Sequence, residues 1–271
     1  MPMKFAVVTN KSRDCDLSVT EKIIHCLSEY GAECAICSTA DALNKVSTDC
    51  NAIITVGGDG TILGISRVAA QSGCPVVGVN KGNLGYLAEL ETDGISELKR
   101  LVSGDYYIEN RMMLRSTVSL SDEEKEFYAL NDVVVTHDAV LRITDFDLSC
   151  DGYPVAHYRA DGLIFSTPTG STAYSLSAGG PIVDPAHRAM ILTPICAHTL
   201  NSRPILFRDD AVLSVHCSSR DEGLVRLYAD GGEGYCLPNA STVRIMRSPF
   251  PLKLIRFSTN SFYNILSKKI H

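Results

Sequence analysis

The sequence has no excess of positive charge and no apolar run long enough to cross a membrane. Its formal net charge is −6, which argues against a broad basic surface for nucleic acid but leaves room for a local basic pocket. A membrane span needs about 20 apolar residues. The opening residues, MPMKFAVVTN, are too short and too polar for a signal peptide. We therefore expect a cytoplasmic protein that binds neither nucleic acid nor membranes.

Cysteine and histidine show no spacing that is typical of a disulfide framework or a metal site. With 271 residues, 45% of them hydrophobic, the chain can bury a large core without cross-links. Cys34 and Cys37 have C-x-x-C spacing, but they lie in a strand pattern in which positions three apart point to opposite faces. His137, His157 and His198 also lack metal-ligand spacing. We expect reduced thiols, and these residues identify no metal site.

Two halves of the chain differ in their hydrophobic pattern. Strand and helix patterns alternate over the first hundred residues, which is typical of a parallel α/β layer. From Asp105 to Arg247, strand follows strand with turn residues between them, as in EFYALNDVVVT and YPVAHYRADGLIFST. The predicted fold class is therefore α/β plus all-β: a parallel-sheet domain over residues 1–104 and a mostly antiparallel β-domain over residues 105–251.

A glycine-rich turn, GGDGT, follows the apolar strand pattern NAIITV and precedes a helix pattern. Glycines let a ligand approach the backbone, and a helix N-terminus attracts anions, so the turn predicts a phosphate loop of Gly57, Gly58, Gly60 and Thr61. The G-K-[ST] ending of a P-loop is absent. Leu63 stands where a dinucleotide fingerprint needs its third glycine, and no acidic residue follows the next strand.

Asp59 puts a carboxylate into this predicted phosphate loop. Two such anions about 4 Å apart repel each other by about 4 kcal/mol at an effective dielectric constant of 20. Three arrangements avoid the repulsion: the carboxylate faces a metal ion, it accepts the proton of an attacking hydroxyl, or it caps the helix. The first two belong to phosphoryl transfer to a hydroxyl.

Three further stretches are candidates for the same site. NKGNLGYL, residues 80–87, also follows a strand, so we expect it at the same sheet edge as GGDGT, where ligands of open α/β sheets bind. STPTGSTAYSLSAGGP, residues 166–181, is dense in hydroxyls suited to a base or sugar, and Ser171 or Thr172 could cap a short helix in it. Polar islands within strand patterns occur at Asn131–Asp132 and Arg159–Asp161, where each predicts a turn or a strand end.

In this order, these motifs resemble those of bacterial NAD kinases. GGDGT alone also resembles the loop of lipid kinases and phosphofructokinases, but TPTGSTAYSLSAGGPI is particular to the family. The resemblance runs from the first strand to about Pro251. It implies an N-terminal α/β domain, a C-terminal β-sandwich, and a tail, residues 252–271, that returns to the first domain. Tyr86 replaces the commoner phenylalanine, and Gly232 stands where many members have glutamine, so Asp230 is left as a ligand or a turn residue.

The resemblance also implies a reaction. The γ-phosphoryl of ATP, or a phosphoryl of polyphosphate, passes to the 2′-hydroxyl of the adenosine ribose of NAD and gives NADP. A divalent cation, Mg²⁺ by expectation, takes part, and members form homodimers or homotetramers in which a neighbour contributes to the site. Asp59 is the implied proton acceptor. The implied NAD-binding residues are Asp59, Gly60, Asn131, Asp132, Arg142, Arg159, Asp161, Thr172, Ala173, Tyr174 and Ser177.

Two alternatives remain at the level of the sequence. Another kinase with a GGDG loop, acting on a lipid or sugar hydroxyl, would share the phosphate loop but would not need TPTGSTAY. A sensor that binds NAD(P) without catalysis would need the β-domain but not Asp59, which is present.

Overall fold

The computed structural model describes residues 2–82, 85–119, 124–137, 144–198, 202–218, 225–238, 240–258 and 262–269. The chain forms two compact units, one of residues 1–111 and 250–271 and one of residues 112–249. No helix within the described ranges is long and apolar enough to cross a membrane.

The first segment alternates strands with helices, as its pattern predicts. Its elements, in chain order, are β1 (Lys4–Thr9), α1 (Ser18–Ser28), β2 (Glu33–Cys37), α2 (Ala40–Asn44), β3 (Ala52–Gly57), α3 (Asp59–Ser72), β4 (Val76–Asn80), β5 (Leu90–Glu91), a 3₁₀ helix (Thr92–Leu98), α4 (Lys99–Ser103) and β6 (Tyr107–Arg111).

The second unit is almost entirely strand. Its elements are β7 (Leu114–Ser119), β8 (Glu124–Ala129), β9 (Asp132–His137), β10 (Thr144–Cys150), β11 (Tyr153–Ala160), β12 (Gly162–Ser166), a 3₁₀ turn (Thr169–Thr172), α5 (Tyr174–Ser177), β13 (Ala189–Ile195), β14 (Ile205–Arg208), β15 (Leu213–Ser218), β16 (Val225–Ala229), β17 (Tyr235–Cys236) and β18 (Thr242–Arg247).

The last segment returns to the first unit. It contains β19 (Leu252–Arg256) and α6 (Phe262–Lys269). The first sheet has the order β2-β1-β3-β4-β19-β6, with β5 paired to β4. β1 to β5 pair in parallel, β19 is parallel to β4, and β6 is antiparallel to β19. Apolar residues of α1, Val19, Ile23 and Leu27, pack with β1 and β3 in one core.

The second unit is a sandwich of two antiparallel sheets. One has the order β11-β10-β15-β18-β7-β8 and the other β14-β13-β12-β9-β16-β17. Leu114, Phe146 and Val243 of the first sheet share one buried core with Phe165 and Leu192 of the second. The predicted fold class, a parallel α/β domain with a β-sandwich and a returning tail, is therefore confirmed.

Several sequence-based boundaries differ from the observed ones. The units divide at residues 111/112 and 249/250 rather than 104/105 and 251/252, because β6 pairs with β19 in the first sheet. EFYALNDVVVT and YPVAHYRADGLIFST are each two strands rather than one, since β8 and β11 belong to one sheet and β9 and β12 to the other. The sequence analysis did not predict β13, β14 or β19.

Candidate active site

The two glycine-rich turns of the first unit start side by side. Gly57, the last residue of β3, is the register partner of Asn80, the last residue of β4. GGDGT begins at Gly57 and NKGNLGYL begins at Asn80. The expectation that both turns leave the same edge of the sheet is confirmed, and this is the edge where open parallel sheets bind ligands.

Asp59 joins the two turns. It is the first residue of α3, and Gly58 is the N-cap, with no side-chain cap bond. The Asp59 carboxylate accepts hydrogen bonds from the backbone N–H of Tyr86 on Oδ2, at 2.7 Å, and from that of Leu87 on Oδ1, at 3.1 Å. Of the three arrangements considered for Asp59, the helix cap is thus not the one observed. The carboxylate is half-exposed and oriented by the second turn.

Gly85 makes this arrangement possible. A Cβ at position 85 would overlap the Asp59 carboxylate, which packs directly against the Gly85 backbone. A larger residue there would push the carboxylate away from the two N–H groups that hold it. The glycine in LGYL is therefore required by close approach, a reason the sequence alone does not reveal.

A cavity of about 350 Å³ opens in front of Asp59. Its only described acidic lining residue is Asp59, while three lining residues are basic, and the N-terminus of α3 adds N–H groups and a positive dipole end. Such a pocket suits a phosphate chain. The described lining residues are Arg13, Gly58, Asp59, Gly60, Asn80, Lys81, Gly82, Gly85 and Lys269.

The basic side chains of this cavity are not among the residues predicted from the sequence. Lys81 lies inside the second glycine turn, so its position next to GGDGT could have suggested it. Arg13 follows β1 and Lys269 ends α6, and nothing local in the sequence links either of them to the phosphate loop. Thr61, predicted for the loop, lies in the first turn of α3, where its N–H bonds to the Gly58 carbonyl.

Lys81 is anchored by a buried carboxylate. Lys81 Nζ lies 2.8 Å from Asp14 Oδ1 and 3.6 Å from Asp16 Oδ1. Burial would raise the pKa of Asp14, but hydrogen bonds from Lys81, Thr20 and Val19 outweigh it and lower this pKa to about 2. The Asp14 carboxylate, fully buried, therefore stays ionised and keeps the ammonium at the cavity.

The cavity also contains oxygen atoms that suit a hard cation. No group of three or more His, Cys, Asp and Glu that could hold a metal occurs within the described part of the chain. Mg²⁺, however, is commonly bound by one or two protein oxygens together with substrate phosphates. Asn80 donates from Nδ2 to the Gly82 carbonyl at 3.0 Å, while its buried Oδ1 has no hydrogen-bond partner among the residues that the structure describes. These residues fit a cation that arrives with a phosphate ligand.

In the second unit, the Asn131–Asp132 segment is held by the hydroxyl-rich stretch. Thr167 N–H donates to the Asn131 carbonyl at 2.9 Å, and Thr167 Oγ1 donates to the Leu130 carbonyl at 2.6 Å. Asp132 is the register partner of Ser166. A Cβ at Gly170 would overlap the Asn131 backbone, so only glycine allows the TPTG turn to pack this closely.

The hydroxyls of residues 166–177 divide into two sets. Those of Ser166, Thr167, Thr169, Ser171 and Ser175 are buried, and Ser171, for example, accepts from Val183 N–H and donates to the Pro168 carbonyl. They fasten the stretch to itself and to its neighbours, such as Leu130 and Val183, so the interpretation of the whole stretch as a base- or sugar-binding segment was too broad. The helix cap expected from Ser171 or Thr172 is also absent, because α5 starts after Ala173. Thr172, Ala173, Tyr174 and Ser177 remain accessible.

Two carboxylates meet at the Asn131–Asp132 segment. Asp230, at a positive φ of 50°, accepts hydrogen bonds from the N–H groups of Leu130 (2.7 Å), Asn131 (2.7 Å) and Asp132 (3.2 Å). Asp132 is 5% exposed. Burial, with a further contribution from the nearby Asp230 charge, raises the pKa of Asp132 to about 7. Asp230 thus fixes this segment, while Asp132 can hold a proton near neutral pH.

Comparisons with known proteins decide the family. The family model of the ATP-NAD kinase N-terminal domain matches residues 6–106, and the model of the ATP-NAD kinase C-terminal domain matches residues 130–257. The NAD kinase of Thermoanaerobacter sp. strain X514 is 39% identical over 279 aligned positions, which cover 98% of each chain. The chain belongs to the NAD kinase family. The NAD kinase of Moorella thermoacetica is 43% identical over 219 positions, covering 80% of this chain and 70% of that one.

Solved structures of this family have the same fold. The NAD kinase from Archaeoglobus fulgidus in complex with ATP superposes with a TM-score of 0.80, at 27% identity, over 99% of this chain and 98% of that chain. The yeast NADH kinase complexed with NADH gives a TM-score of 0.84, at 22% identity, over 100% and 88% of the two chains. At that identity the second likeness establishes the fold alone.

The residues implied by the NAD kinase resemblance separate into two groups in the second unit. Asn131, Asp132 and the Thr172–Ser177 segment lie at the end of β12 that contains Ser166. Asp161 precedes the opposite end of β12, where its carbonyl accepts from His137 N–H and its N–H donates to Ile195. Arg159 is 58% exposed on β11 and pairs with Asp145 at 3.3 Å. Arg142 lies outside the described residues.

Proposed function

We propose that this chain is an NAD kinase that transfers the γ-phosphoryl of ATP to the 2′-hydroxyl of the adenosine ribose of NAD. The observation that carries the proposal is the Asp59 carboxylate, which two backbone N–H groups orient at the mouth of an otherwise basic cavity. Family membership supports the same reaction and does not favour a lipid or sugar acceptor.

The first unit binds the phosphoryl donor in this proposal. Arg13, Lys81 and Lys269 offset the charge of a phosphate chain, and the N–H groups after Gly57 and Gly58 approach its oxygens. Nothing in this set contacts a nucleoside specifically, so polyphosphate remains an alternative donor. Asn80 and the substrate phosphates would hold Mg²⁺, which, when bound, neutralises phosphate charge.

Asp59 acts as the general base. Each carboxylate oxygen accepts one N–H bond, which leaves a lone pair on each oxygen for the acceptor hydroxyl. The 2′-hydroxyl proton passes to Asp59 as the bond from the 2′-oxygen to the γ-phosphorus forms. The bond from that phosphorus to the β,γ-bridging oxygen breaks, and ADP leaves.

The second unit binds NAD. Asn131 and Asp132 would hold ribose hydroxyls, and Thr172, Ala173, Tyr174 and Ser177 would contact the adenosine. Tyr174 is 47% exposed, which leaves a ring face for base stacking. Burial of the other hydroxyls supports this assignment, since the accessible ones coincide with the implied set.

A second copy of the chain would complete the site. Five residues of β12 lie between Asp161 and Thr167, which are therefore about 20 Å apart along a strand, so one end of a ligand cannot contact both groups of residues closely. Asp161 and Arg159 would therefore serve the NAD bound by a neighbouring copy, in a homodimer or homotetramer. Their predicted role depends on this assembly, as does the role of Arg142.

The test is a coupled assay. The full chain is mixed with NAD, ATP and Mg²⁺, and NADP is detected with a dehydrogenase that uses only NADP. We expect NADP formation in the wild type and a loss of at least about 1,000-fold in Asp59→Asn, with NAD affinity changed by less than about threefold. Asp93→Asn, an exposed carboxylate of the same unit, serves as the control and should keep full turnover.

Two outcomes would redirect the proposal. Product with polyphosphate but not with ATP would change the donor and leave Asp59 in place. Saturable NAD binding without product from either donor would favour the non-catalytic sensor.

A further inference from the structure

A cluster of charged side chains surrounds Arg256, the last residue of β19. We call Arg256, Glu89, Glu109 and Arg111 the Arg256 network. The Arg256 side chain is 9% exposed and that of Glu89 is 6% exposed. Arg256 Nε donates to Glu109 Oε2 at 2.7 Å, and Arg256 Nη1 lies 3.2 Å from Glu89 Oε2. Buried ion pairs of this kind add little net stability, so their placement calls for another explanation.

The Arg256 network reaches the candidate site through one residue. Arg256 Nη1 also donates to the backbone carbonyl of Leu87 at 3.0 Å. The N–H of the same Leu87 donates to Asp59 Oδ1 at 3.1 Å. Leu87 therefore connects the two side chains through one hydrogen bond at its carbonyl, from the Arg256 guanidinium, and one at its N–H, to the Asp59 carboxylate.

Glu89 provides a second connection between the loop and the returning segment, this time through a side chain of the loop. Its Oε1 accepts hydrogen bonds from the N–H of Phe257, at 2.8 Å, and of Ser258, at 3.2 Å. The end of this loop is thus tied to the returning segment twice: the Leu87 carbonyl binds Arg256 of β19, and the Glu89 side chain binds the N–H groups of Phe257 and Ser258, which follow β19. This double connection limits how far the Tyr86 and Leu87 amides can move.

We propose that Arg256 is a positioning residue for Asp59: it fixes the loop whose N–H groups aim the catalytic carboxylate. The inference rests on the proposed kinase reaction for its kinetic consequence, although the contact itself does not. A base displaced by about 1 Å can lose about 100-fold in rate, so a fixed loop matters for turnover more than for binding. The planar guanidinium suits this task, because it serves one carbonyl and two carboxylates at once, which a lysine ammonium cannot do in the same geometry.

The test compares Arg256→Met with Arg111→Met. Arg111 contacts the same Glu109 carboxylate at 2.9 Å and is also buried, whereas the side-chain hydrogen bond described for the Leu87 carbonyl comes from Arg256. We expect kcat of Arg256→Met to fall about 10- to 100-fold, with KM for NAD and ATP changed less than about threefold. Arg111→Met should keep kcat within about threefold of the wild-type value. This should hold even if its melting temperature falls by the same amount as that of Arg256→Met. Equal kcat losses in the two variants would overturn the proposal.

Hydrogen exchange separates this proposal from the proposed function. The amides of Tyr86 and Leu87 should exchange faster in Arg256→Met than in the wild type. In Arg111→Met their exchange rates should equal those of the wild type. Both results are expected whether or not the protein makes NADP. Unchanged exchange in Arg256→Met would overturn the positioning role. Absence of NADP in the wild type, with the exchange difference present, would instead count against the kinase reaction alone.

Arg256→Lys covers the case in which Arg256→Met does not fold. Lysine keeps the charge and can replace one of the three contacts, so we expect a kcat between those of the wild type and Asp59→Asn with a native melting curve. A wild-type kcat in Arg256→Lys, together with wild-type exchange at Leu87, would overturn the proposal.

Discussion

The acidic residues at the candidate site of each unit have very different surroundings. In the first unit, Asp59 is half-exposed, lies in a cavity with three basic side chains, and accepts two backbone N–H bonds. In the second unit, Asp132 and Asp230 are close to each other, and burial together with their mutual repulsion raises the pKa of Asp132 to about 7. Asp59 thus lies among basic groups at a cavity, whereas Asp132 is buried next to a second carboxylate and is about half protonated at pH 7.

This difference matches the chemistry proposed for each unit. Phosphoryl transfer moves charge and protons during the reaction, so its base must stay accessible and precisely aimed by groups that do not themselves react. Recognition of a dinucleotide needs a fixed set of donors and acceptors, and buried hydrogen bonds supply it at some expense in stability. Three experiments test this difference between the two units.

The largest effect is expected from Gly85→Ala. The new Cβ would overlap the Asp59 carboxylate, so the carboxylate must leave the Tyr86 and Leu87 amides while the sheet stays intact. We expect at least about a 100-fold loss of kcat in the coupled assay, with NAD affinity unchanged. Gly64→Ala is the matched control, because nothing lies within 4 Å of a Cβ there. Full turnover in Gly85→Ala would show that the aim of Asp59 is unimportant.

Asp132→Asn tests the second unit through stability. The pKa of Asp132 is raised from 3.8 to about 7, so between pH 4 and 7 the native state holds a proton that the unfolded state has released. Wild-type stability then falls by about 1.4 kcal/mol for each pH unit in this window, and sharing of the proton with Asp230 reduces the total.

Asp132→Asn should remove this loss. We expect the variant to be more stable than the wild type by about 2 kcal/mol at pH 8 and equal to it below pH 4. Urea unfolding at the two pH values measures the difference, and Asp93→Asn should show none. A pH-independent difference would mean that the Asp132 charge is not the cause.

Tyr174→Ala should give the smallest effect. The ring is 47% exposed, and its loss should weaken NAD binding by about 1 kcal/mol, roughly fivefold in Kd, the lower end for a base on an aromatic ring. Calorimetric titration with NAD measures this change without catalysis. Tyr153→Ala, on exposed β11, is the control, and an equal Kd in both variants would argue against stacking on Tyr174.

The sequence predicted most of the local structure around Asp59. Strand patterns before GGDGT and NKGNLGYL placed both turns at one edge of a parallel sheet, and the bonds from Tyr86 and Leu87 to Asp59 agree with that placement. It could not predict Lys269 or Arg256, because both reach the first unit through a pairing of β19 that has no local signal. Long-range pairing depends on the whole fold rather than on the periodicity of a segment.

The polar islands show a second limit of pattern reading. Apolar alternation continues through Asn131 and Asp161, so each stretch reads as a single strand. In the structure each island is the point at which the chain passes from one sheet of the sandwich to the other. The interpretation of the islands as strand ends was therefore correct. The pattern was wrong only in predicting one long strand where the structure has two shorter ones.

The late arrival of β19 has a consequence for the synthesis of the protein. β6 pairs with β19, and the whole second unit, residues 112–249, lies between them in the chain. At bacterial or eukaryotic rates of translation, β6 waits on the order of 10 s for its partner to leave the ribosome. The first unit begins the chain but is completed last. The hydrogen bond from Arg256 to the Leu87 carbonyl, on which the proposed positioning of Asp59 depends, can form only after the whole second unit has been made.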